Sequence, residues 1–289
     1  MSGDTIAVAG ATGSLGREIV RELRARGYGV RPLARSEVAL AALDLPTEGG
    51  RVIDALNPES LRGVFAGVSA VISTVGASVA PKWSRGRAGY LAIDWPANKN
   101  LVDEAERAGC AKYVYVAAVG GDRHRDLGYF DAHERVVVEL KSRQLPFAVI
   151  RATGFFSAFE EFLVLARRGI APVIGDGSAR TNPIAESDLA AICVDALAPG
   201  AAELAVGGPQ ILSRREIAAL AFKALGKRPR LIRVPPLAFT GLATLLRPLH
   251  PRLADLFQFV TRVSTRDVIG DARGRVTLAE HFSRCLTRR

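Results

Sequence analysis

The sequence predicts an α/β fold in which a doubly wound parallel sheet carries helices on both faces. Through residues 1–154, short apolar runs typical of buried strands alternate with segments whose apolar residues recur at helical period. Strict alternation of this kind demands a parallel sheet that is covered on both sides. The alternation then ends, so residues 155–289 are predicted to form a smaller C-terminal substrate-binding lobe, which packs on the sheet domain and partly contributes to it.

A glycine-rich turn joins the first strand to the first helix. An apolar run over residues 6–9 precedes three glycines at a spacing of three, Gly10, Gly13 and Gly16. Strand, glycine turn and helix in this order are typical of the dinucleotide-binding turn of a Rossmann-type sheet. Gly10 permits the sharp turn, Gly13 lets a pyrophosphate approach the backbone, and Gly16 lets the helix pack close to the sheet.

The phosphates are predicted to lie on the N–H groups at the start of this helix, where the helix dipole favours negative charge. Hydroxyl side chains can add hydrogen bonds there. The cofactor contacts predicted in this turn are Gly10, Thr12, Gly13, Ser14, Leu15 and Gly16. The alternative is a glycine-rich turn that binds no ligand.

The second strand, over residues 29–33, is followed by an arginine rather than an acidic residue. An acidic side chain at this place would hold the ribose hydroxyls of NAD, whereas an arginine suits the 2′-phosphate of NADP. Arg31 and Arg35 are both candidates, and Arg35 is better placed because it follows the strand end. The sequence therefore favours NADPH over NADH, unless Arg35 is an ordinary surface residue.

Two more strand ends are predicted to border the cofactor. The third strand covers residues 51–54, and Asp54 at its end, followed by Ala55, is placed to meet the adenine amino group. The fourth strand and its turn cover residues 69–76, and by the switch-point rule the carboxyl end faces the cofactor. The contacts predicted at this end are Thr74, Val75 and Gly76.

The rest of the first part continues the alternation. Helices are predicted over residues 90–108 and 129–142, and strands over 112–117 and 147–150. Residues 77–89 are small, polar and basic, and they are predicted to form a mobile loop over the site.

The second part mixes shorter elements. Ser213 and Glu216 form a capping-box pattern at the start of a helix over 214–225. The stretch over 235–263 is apolar and interrupted by prolines. Further predicted elements are a helix over 155–166, a strand and turn over 172–177, a helix beginning at Ser187, a strand and turn over 204–209, and a strand over 231–234.

Charge and cysteine usage exclude several classes of protein. The formal net charge of +10 comes mostly from arginine, yet the basic residues form no long block and no stripe interleaved with aromatic residues, so no nucleic-acid partner is expected. No run of eighteen apolar residues occurs, which argues against a transmembrane helix. The cysteines, Cys110, Cys193 and Cys285, are scattered, which indicates reduced thiols in the cytoplasm. The four histidines are scattered too, so no metal site is predicted.

Several short segments together resemble the atypical short-chain dehydrogenase/reductases, specifically the NmrA-like, isoflavone reductase-like group. That group contains reductases of isoflavonoids and of divinyl chlorophyllide, and also redox-sensing regulators that do no chemistry. The resemblance implies NADP binding, followed either by hydride transfer or by regulation. The segments that carry it are 10–16, 100–105, 112–116, 149–156, 182–184, 188–190 and 206–209.

The catalytic positions implied by this resemblance are only partly kept. The wider superfamily has a serine just after the fifth strand, where this chain has Ala117, and a tyrosine four residues before a lysine, where it has Tyr129 and His133. The resemblance makes Tyr129 the proton donor and a substrate contact. It makes His133 the second catalytic residue and a contact of the ribose or the substrate, with a charge that is conditional near neutral pH. Ala117 stays among the predicted cofactor contacts. The alternative for Tyr129 is a structural role as an amphipathic ring at a helix start. The alternative for His133 is a histidine that is simply exposed on the helix.

The sixth strand leads into the predicted substrate contacts Gly154, Phe155 and Phe156. Phenylalanines at helical spacing are also typical of a core, so a structural role is the alternative. Arg151 lies at the same strand end, and of its two roles, site residue or ion-pair partner, the sequence favours the second.

Taken together, the sequence predicts a cytoplasmic, NADPH-dependent reductase of a hydrophobic small molecule, aromatic or isoprenoid-bearing. The cofactor supplies the hydride, and the protein positions it. The alternative is an NADP(H)-binding redox sensor without turnover. A third possibility is an accessory protein at a membrane-bound complex, with peripheral membrane contact suggested by the basic charge and the apolar C-terminal stretch. A monomer and a homodimer are equally compatible with the sequence.

Overall fold

Eight parallel strands form one sheet at the centre of the protein. The structure is a computed structural model, and it describes residues 3–43, 49–76, 88–200 and 203–287. The strands, in chain order, are β1 (Thr5–Ala9), β2 (Gly29–Ala34), β3 (Arg51–Val52), β4 (Ala70–Ser73), β5 (Lys112–Ala118), β6 (Phe147–Ala152), β7 (Ala171–Ile174), β8 (Arg180–Thr181), β9 (Glu203–Gly207), β10 (Leu212–Ser213), β11 (Leu231–Val234) and β12 (Asp271–Ala272).

The strand order across the sheet is β12-β9-β6-β5-β4-β1-β2-β3, and all neighbours are parallel. Residues 3–152 thus give the doubly wound order 3-2-1-4-5-6, which reverses between β1 and β4. The turns that follow β1 and β4 leave the sheet side by side at this switch point. Two small sheets, β7 with β11 and β8 with β10, lie outside the main one.

Helices cover both faces of the sheet. In chain order they are α1 (Ser14–Ala25), α2 (Glu37–Ala41), α3 (Pro58–Leu61), α4 (Tyr90–Arg107), α5 (Gly128–Lys141), α6 (Phe156–Phe159), α7 (Glu161–Arg167), α8 (Glu186–Asp195), α9 (Arg214–Ala224), α10 (Pro236–Leu246), α11 (Pro251–Thr265) and α12 (Leu278–Thr287). Within the described ranges, no helix is both long enough and apolar enough to cross a bilayer.

The two-residue period of the strands divides the core between the faces. On β1, Ile6 and Val8 pack with α1, α2 and α8, while Ala7 and Ala9 pack with α3, α4 and α5. The central strands are therefore apolar on both sides, which explains the continuous apolar runs in the sequence.

A third core holds the C-terminal lobe together. It is built from α6, α7, β7, α9 and α12, and its fully buried rings include Phe156, Phe222 and Phe282. Helices α10 and α11 pair with each other as a hairpin, and α11 also contacts α5. The Asp255 carboxylate of α11 lies against Gly89 and Gly128, at the N-termini of α4 and α5, so the hairpin covers that edge of the sheet domain.

The predicted alternation and the doubly wound parallel sheet are confirmed, as is the capping box of Ser213 and Glu216. The helix predicted over 155–166 is wrong in one respect, because the chain breaks it at Glu160 into α6 and α7. The second part also contributes α8, β9 and β12 to the sheet domain, with β9 pairing beside β6. Most of the predicted loop 77–89, residues 77–87, lies outside the described residues.

Candidate functional site

The glycine turn after β1 is tight at two of its three glycines. Gly10 has a φ of +82°, and a Cβ there would lie 2.6 Å from Thr74 Oγ1. A Cβ on Gly16 would lie 2.1 Å from the Gly10 carbonyl oxygen, inside any tolerable contact. Both positions therefore require glycine, and Gly16 allows α1 to start directly against the turn.

The N-terminus of α1 is open to an anion. Its N-cap is Gly13, no side chain caps it, and its first turn carries no acidic residue. Arg17 fixes the turn from behind, since it donates to the Thr12 oxygen at 3.2 Å and to the Ala42 oxygen at 2.5 Å. The N–H groups around Ser14 and Leu15 can therefore receive a pyrophosphate, as the sequence predicts.

The two arginine candidates of β2 differ in what they already bind. Arg31 donates to the Val64 and Ala66 oxygens at 2.9 and 2.8 Å, so its guanidinium is used in the fold. Arg35 follows β2, is exposed, and makes no hydrogen bond or ion pair with the described residues. Of these two candidates, Arg35 is the one whose guanidinium is uncommitted among the described residues.

The turn after β3 is held from two sides. One carboxylate oxygen of Asp54 accepts from the Leu56 N–H at 3.0 Å, and the Asp54 main chain exchanges hydrogen bonds with Ser60. The Ala55 oxygen accepts from Asn100 Nδ2 of α4 at 3.0 Å. Asp54 keeps its second carboxylate oxygen for a ligand, and the turn is fixed in place.

Thr74 connects the two turns of the switch point. Its Oγ1 donates within 3.2 Å of the Ala9 oxygen and 3.3 Å of the Gly10 oxygen. This hydroxyl holds the β4 end against the glycine turn, so Thr74 shapes the predicted cofactor groove. Val75 and Gly76 continue the same edge.

Asn98 of α4 fixes the chain after β4, and sequence reasoning missed it. It is fully buried, donates to the Val75 oxygen at 3.0 Å and the Asp94 oxygen at 2.8 Å, and accepts from Ser73 Oγ at 2.8 Å. The available signal was a pair of polar residues, Asp94 and Asn98, one turn apart on the inward face of a helix. Such buried polar groups are kept where they hold backbone in place.

His133 lies inside the protein beside Tyr115. The Tyr115 hydroxyl and His133 Nδ1 are 2.6 Å apart, and His133 is 6% exposed. Burial, together with the charge of Arg151, lowers the pKa of His133 from 6.5 to about 4. His133 is therefore neutral at pH 7 and supplies no positive charge in place of the missing lysine. The alternative of an exposed histidine is wrong.

Tyr129 begins α5 within a group of aromatic rings. Its ring centroid lies 4.4 Å from that of Phe259, 4.7 Å from His133 and 5.3 Å from Tyr90. Its hydroxyl makes no hydrogen bond within the described part of the chain. Burial and the nearby Asp94 carboxylate raise the pKa of the Tyr129 phenol above its ordinary 10.0, so it keeps its proton at neutral pH.

The neighbouring strand ends carry no second acid. Ala117 is 4% exposed and pairs across the sheet with Arg151, so the usual hydroxyl is absent at that place. The Arg151 guanidinium pairs with both Glu134 oxygens and with Glu203 at 3.3 Å. The ion-pair role favoured for Arg151 is confirmed.

The three substrate contacts predicted after β6 are placed differently from one another. Gly154 and Phe155 are partly accessible, and a Cβ on Gly154 would lie 3.3 Å from the Phe159 ring. Phe156 is fully buried in the core of the lobe and packs 5.2 Å from the His281 ring. Its ring offers no surface to a ligand, so the structure corrects that prediction.

One group of potential metal ligands occurs within the described ranges. Oxygen, nitrogen and sulfur atoms of Glu160, His281 and Cys285 lie within 4.8 Å of one another. They belong to the α6–α7 junction and to α12, elements that carry neither Tyr129 nor His133.

Comparison with known proteins agrees with this geometry. A family model described as NAD(P)H-binding matches residues 10–199. Divinyl chlorophyllide a 8-vinyl-reductase of Oryza sativa subsp. indica is 29% identical over 256 residues, 80% of this chain and 61% of that protein. The NADH dehydrogenase [ubiquinone] 1 alpha subcomplex subunit 9 of Arabidopsis thaliana is 27% identical over 253 residues, 81% of this chain and 61% of that protein. The chain therefore spans about three fifths of the length of these relatives.

Two solved structures share the fold along nearly the whole chain. The NADPH-dependent quinone oxidoreductase of Escherichia coli has a TM-score of 0.78 at 19% identity, covering 97% of this chain and 99% of that one. The triphenylmethane reductase of a Citrobacter species has a TM-score of 0.76 at 18% identity, with the same coverage. At such identities the likeness is one of fold.

Proposed function

Because this chain belongs to the NAD(P)H-binding family, we propose that it is an NADPH-dependent reductase of a hydrophobic, aromatic or isoprenoid-bearing small molecule. The observation that carries the proposal is Tyr129. Its ring packs with those of Tyr90, Phe130 and Phe259, and its phenol keeps its proton at neutral pH. The Asp94 carboxylate, which helps to raise its pKa, lies beside Gly76 after β4. A proton donor inside an aromatic enclosure suits an apolar substrate.

The residues present fit the cofactor. The turn of Gly10 and Gly16 leaves no room for side chains, and the open N-terminus of α1 suits the pyrophosphate. Arg35 is placed to bind the 2′-phosphate, which supports NADPH over NADH. When bound, the cofactor supplies hydride from its nicotinamide.

The chain's own residues would then deliver the proton. Tyr129 holds a proton through the neutral range because burial and Asp94 disfavour its phenolate. His133 is neutral and bonded to Tyr115, so Tyr129 gains no activation from a neighbouring cation. Such a weak acid suits conjugated substrates, in which the charge left by hydride addition is delocalised. The similar proteins are named as reductases of a vinyl group, of quinones and of triphenylmethane compounds.

The second candidate function is an NADP(H)-binding redox sensor without turnover. Ala117 in place of the serine and His133 in place of the lysine favour it, since both changes weaken carbonyl chemistry. The retained Tyr129 favours the reductase.

Location and assembly complete the proposal. Three free cysteines support the cytoplasm, where thiols stay reduced. Whether the chain acts as a monomer or a homodimer stays a prediction.

A substrate screen separates the two functions. The chain is first titrated with NADPH by calorimetry, and NADPH consumption is then followed with apolar enones, quinones and aromatic ketones. The reductase proposal expects turnover on at least one conjugated class. Micromolar NADPH binding with no turnover across the panel would favour the sensor. Absence of NADPH binding would overturn both the reductase and the sensor proposals.

A further inference from the structure

Helix α10 presents an apolar face that the rest of the described chain leaves uncovered. The helix contains no charged residue, and Ala243 is its one fully buried side chain. Leu237 and Leu245 are 82% and 75% exposed, and Leu249, just after the helix, is 72% exposed. Leu237 and Leu245 lie about two turns apart, within one side of the helix, so α10 carries an exposed apolar face, called here the α10 ridge.

The segment that contains this ridge has a surplus of basic residues. Residues 217–254 contain no aspartate or glutamate but seven lysines and arginines. Among them Arg228, Arg230 and Arg233 are exposed and form no hydrogen bond or ion pair with described residues. An exposed apolar helix face in a segment with a surplus of exposed arginines matches the chemistry of an anionic bilayer, in which apolar side chains enter the acyl region and cations meet the headgroups.

We propose that the α10 ridge docks this protein on an anionic membrane surface. The charge argues for lipid, because a second copy of the chain would bring its own Arg228, Arg230 and Arg233 to a surface that already carries these cations. The mode is peripheral, since the leucines cover one side of a short helix.

The α10 ridge is connected to the candidate site through α11. Phe259 of α11, the partner of α10 in the hairpin, contacts the Tyr129 ring at 4.4 Å, and Asp255 of α11 lies against Gly89 and Gly128. A bilayer under α10 would therefore place dissolved hydrophobic molecules next to the edge that carries Tyr129. This last step rests on the proposed reductase function, whereas the docking itself does not.

Vesicle flotation tests the docking without cofactor or substrate. The full chain is mixed with vesicles of phosphatidylcholine alone or of phosphatidylcholine with phosphatidylglycerol. We expect binding to the anionic vesicles that weakens with salt. A double variant, Leu237→Asn with Leu245→Asn, and a triple variant, with Arg228, Arg230 and Arg233 each changed to Gln, should each lower partitioning at least about tenfold.

Val38→Asn is the matched control, because Val38 is 81% exposed on α2, outside the basic region. It should bind vesicles like the unchanged chain, and calorimetry with NADPH shows that every variant still folds. Equal partitioning of the leucine variant and the unchanged chain would overturn the proposal. So would the loss of a dimer in the leucine variant without vesicle binding, which would assign the ridge to a second copy. If the chain turned over substrate in detergent but did not bind vesicles, the docking proposal would be wrong and the reductase proposal would be unaffected.

A separate feature is the cluster of Glu160, His281 and Cys285. His281 Nε2 lies 3.0 Å from Glu160 Oε1 and 3.5 Å from Cys285 Sγ, and Cys285 Sγ lies 3.8 Å from Glu160 Oε1. Tetrahedral Zn²⁺ at ordinary bond lengths to nitrogen, oxygen and sulfur requires ligand separations of about 3.3–3.6 Å. The three atoms therefore nearly outline one face of a zinc tetrahedron.

A pocket adjoins two of the three candidate ligands. This pocket, of about 140 Å³, adjoins His281 and Cys285 and is also lined by Glu18, Glu186 and Arg284. The geometry points to a zinc site with three protein ligands and one open position, in which binding releases the Cys285 thiol proton to solvent.

Cobalt titration tests this second proposal. With Co²⁺ alone as probe, we expect one ion per chain and a thiolate-to-cobalt absorption band that strengthens as pH rises. Cys285→Ser should abolish the band, and Glu160→Gln should weaken affinity at least about tenfold. Glu161→Gln, an exposed neighbour, is the control and should bind normally. Absence of a thiolate band, or unchanged affinity in the Cys285→Ser chain, would overturn the site.

Discussion

The Tyr115 hydroxyl lies 2.6 Å from Nδ1 of His133, and both side chains are buried. His133 occupies the position, four residues after Tyr129, at which the sequence resemblance implies a lysine. Because the imidazole is enclosed and faces the positive charge of Arg151, the position becomes a neutral one.

Acid should destabilise the protein through His133. The pKa of His133 is about 4 in the folded protein and the ordinary 6.5 in the unfolded chain. Between these two pH values the unfolded chain binds a proton at His133 that the folded protein does not bind. The stabilisation is complete above pH 6.5 and is lost as pH falls towards 4, by about 3 kcal/mol in total. Urea unfolding between pH 4 and 7 measures the slope, which should be shallower in His133→Gln. Equal slopes in the two chains would contradict the assignment.

Arg35 should determine cofactor choice. Arg35→Ala removes a charge-assisted contact with the 2′-phosphate and should cost NADPH binding about 1–3 kcal/mol, while NADH binding changes little. Calorimetric titration with both cofactors gives the ratio. Arg51→Ala, an exposed arginine on the adjacent strand, is the control. If the unchanged protein bound both cofactors equally, Arg35 would have no such role.

Two substitutions in the glycine turn should have different effects, one on cofactor binding and the other on folding. Gly13 has an ordinary φ of −71°, and a Cβ there would lie 3.3 Å from the Gly10 oxygen, so Gly13→Val should fold. Its branched side chain would nevertheless occupy the phosphate approach, and NADPH affinity should fall steeply. Gly16→Val, by contrast, collides with backbone at 2.1 Å and should lose cooperative unfolding. Unchanged affinity in Gly13→Val would place the cofactor elsewhere.

Tyr129→Phe should lower turnover by about 10²–10⁴-fold if the hydroxyl is the general acid, with NADPH binding nearly intact. Because the phenol pKa is raised, Tyr129 should not deprotonate, and turnover should not fall on its account, up to about pH 10. Tyr28→Phe, at the start of β2, is the matched control. Normal turnover of the Tyr129→Phe chain would mean that water or the substrate supplies the proton.

The buried ion pair of Arg151 should matter far more than a surface one. Arg151→Met leaves Glu134, 8% exposed, without its cation, and should cost about 3–5 kcal/mol of unfolding free energy. Arg26→Met breaks an exposed pair with Asp195 and should cost about 1 kcal/mol or less. Urea titration of both variants checks the difference. Similar small losses would show that Arg151 is dispensable.

The local parts of the fold and site could be predicted from sequence. The turn of Gly10 to Gly16 and the exposed Arg35 follow from short-range pattern, because a strand end and a helix start fix what lies between them. The capping box of Ser213 follows in the same way.

Long-range partnerships could not be predicted in this way. Asn98 reaches Val75 across 23 residues, and His133 meets Tyr115 only because α5 folds back over β5. The burial of His133 and Phe156 likewise depends on neighbours far away in the chain. Polarity at one position does not reveal whether tertiary packing will enclose it.

The insertion of β9 beside β6, with β12 outside it, has a consequence for how the molecule can move. The polypeptide passes several times between the sheet and the lobe. Asn182 joins two of these passages, because it donates to the Gly208 and Gly270 oxygens and accepts from the Gly270 N–H. Several connections of this kind disfavour a rigid-body closure of the lobe about one hinge. We expect the α10–α11 hairpin, which contacts α5 through α11, to tilt when a bulky molecule enters. A cross-link between that hairpin and α5 should then slow turnover while NADPH binding stays intact.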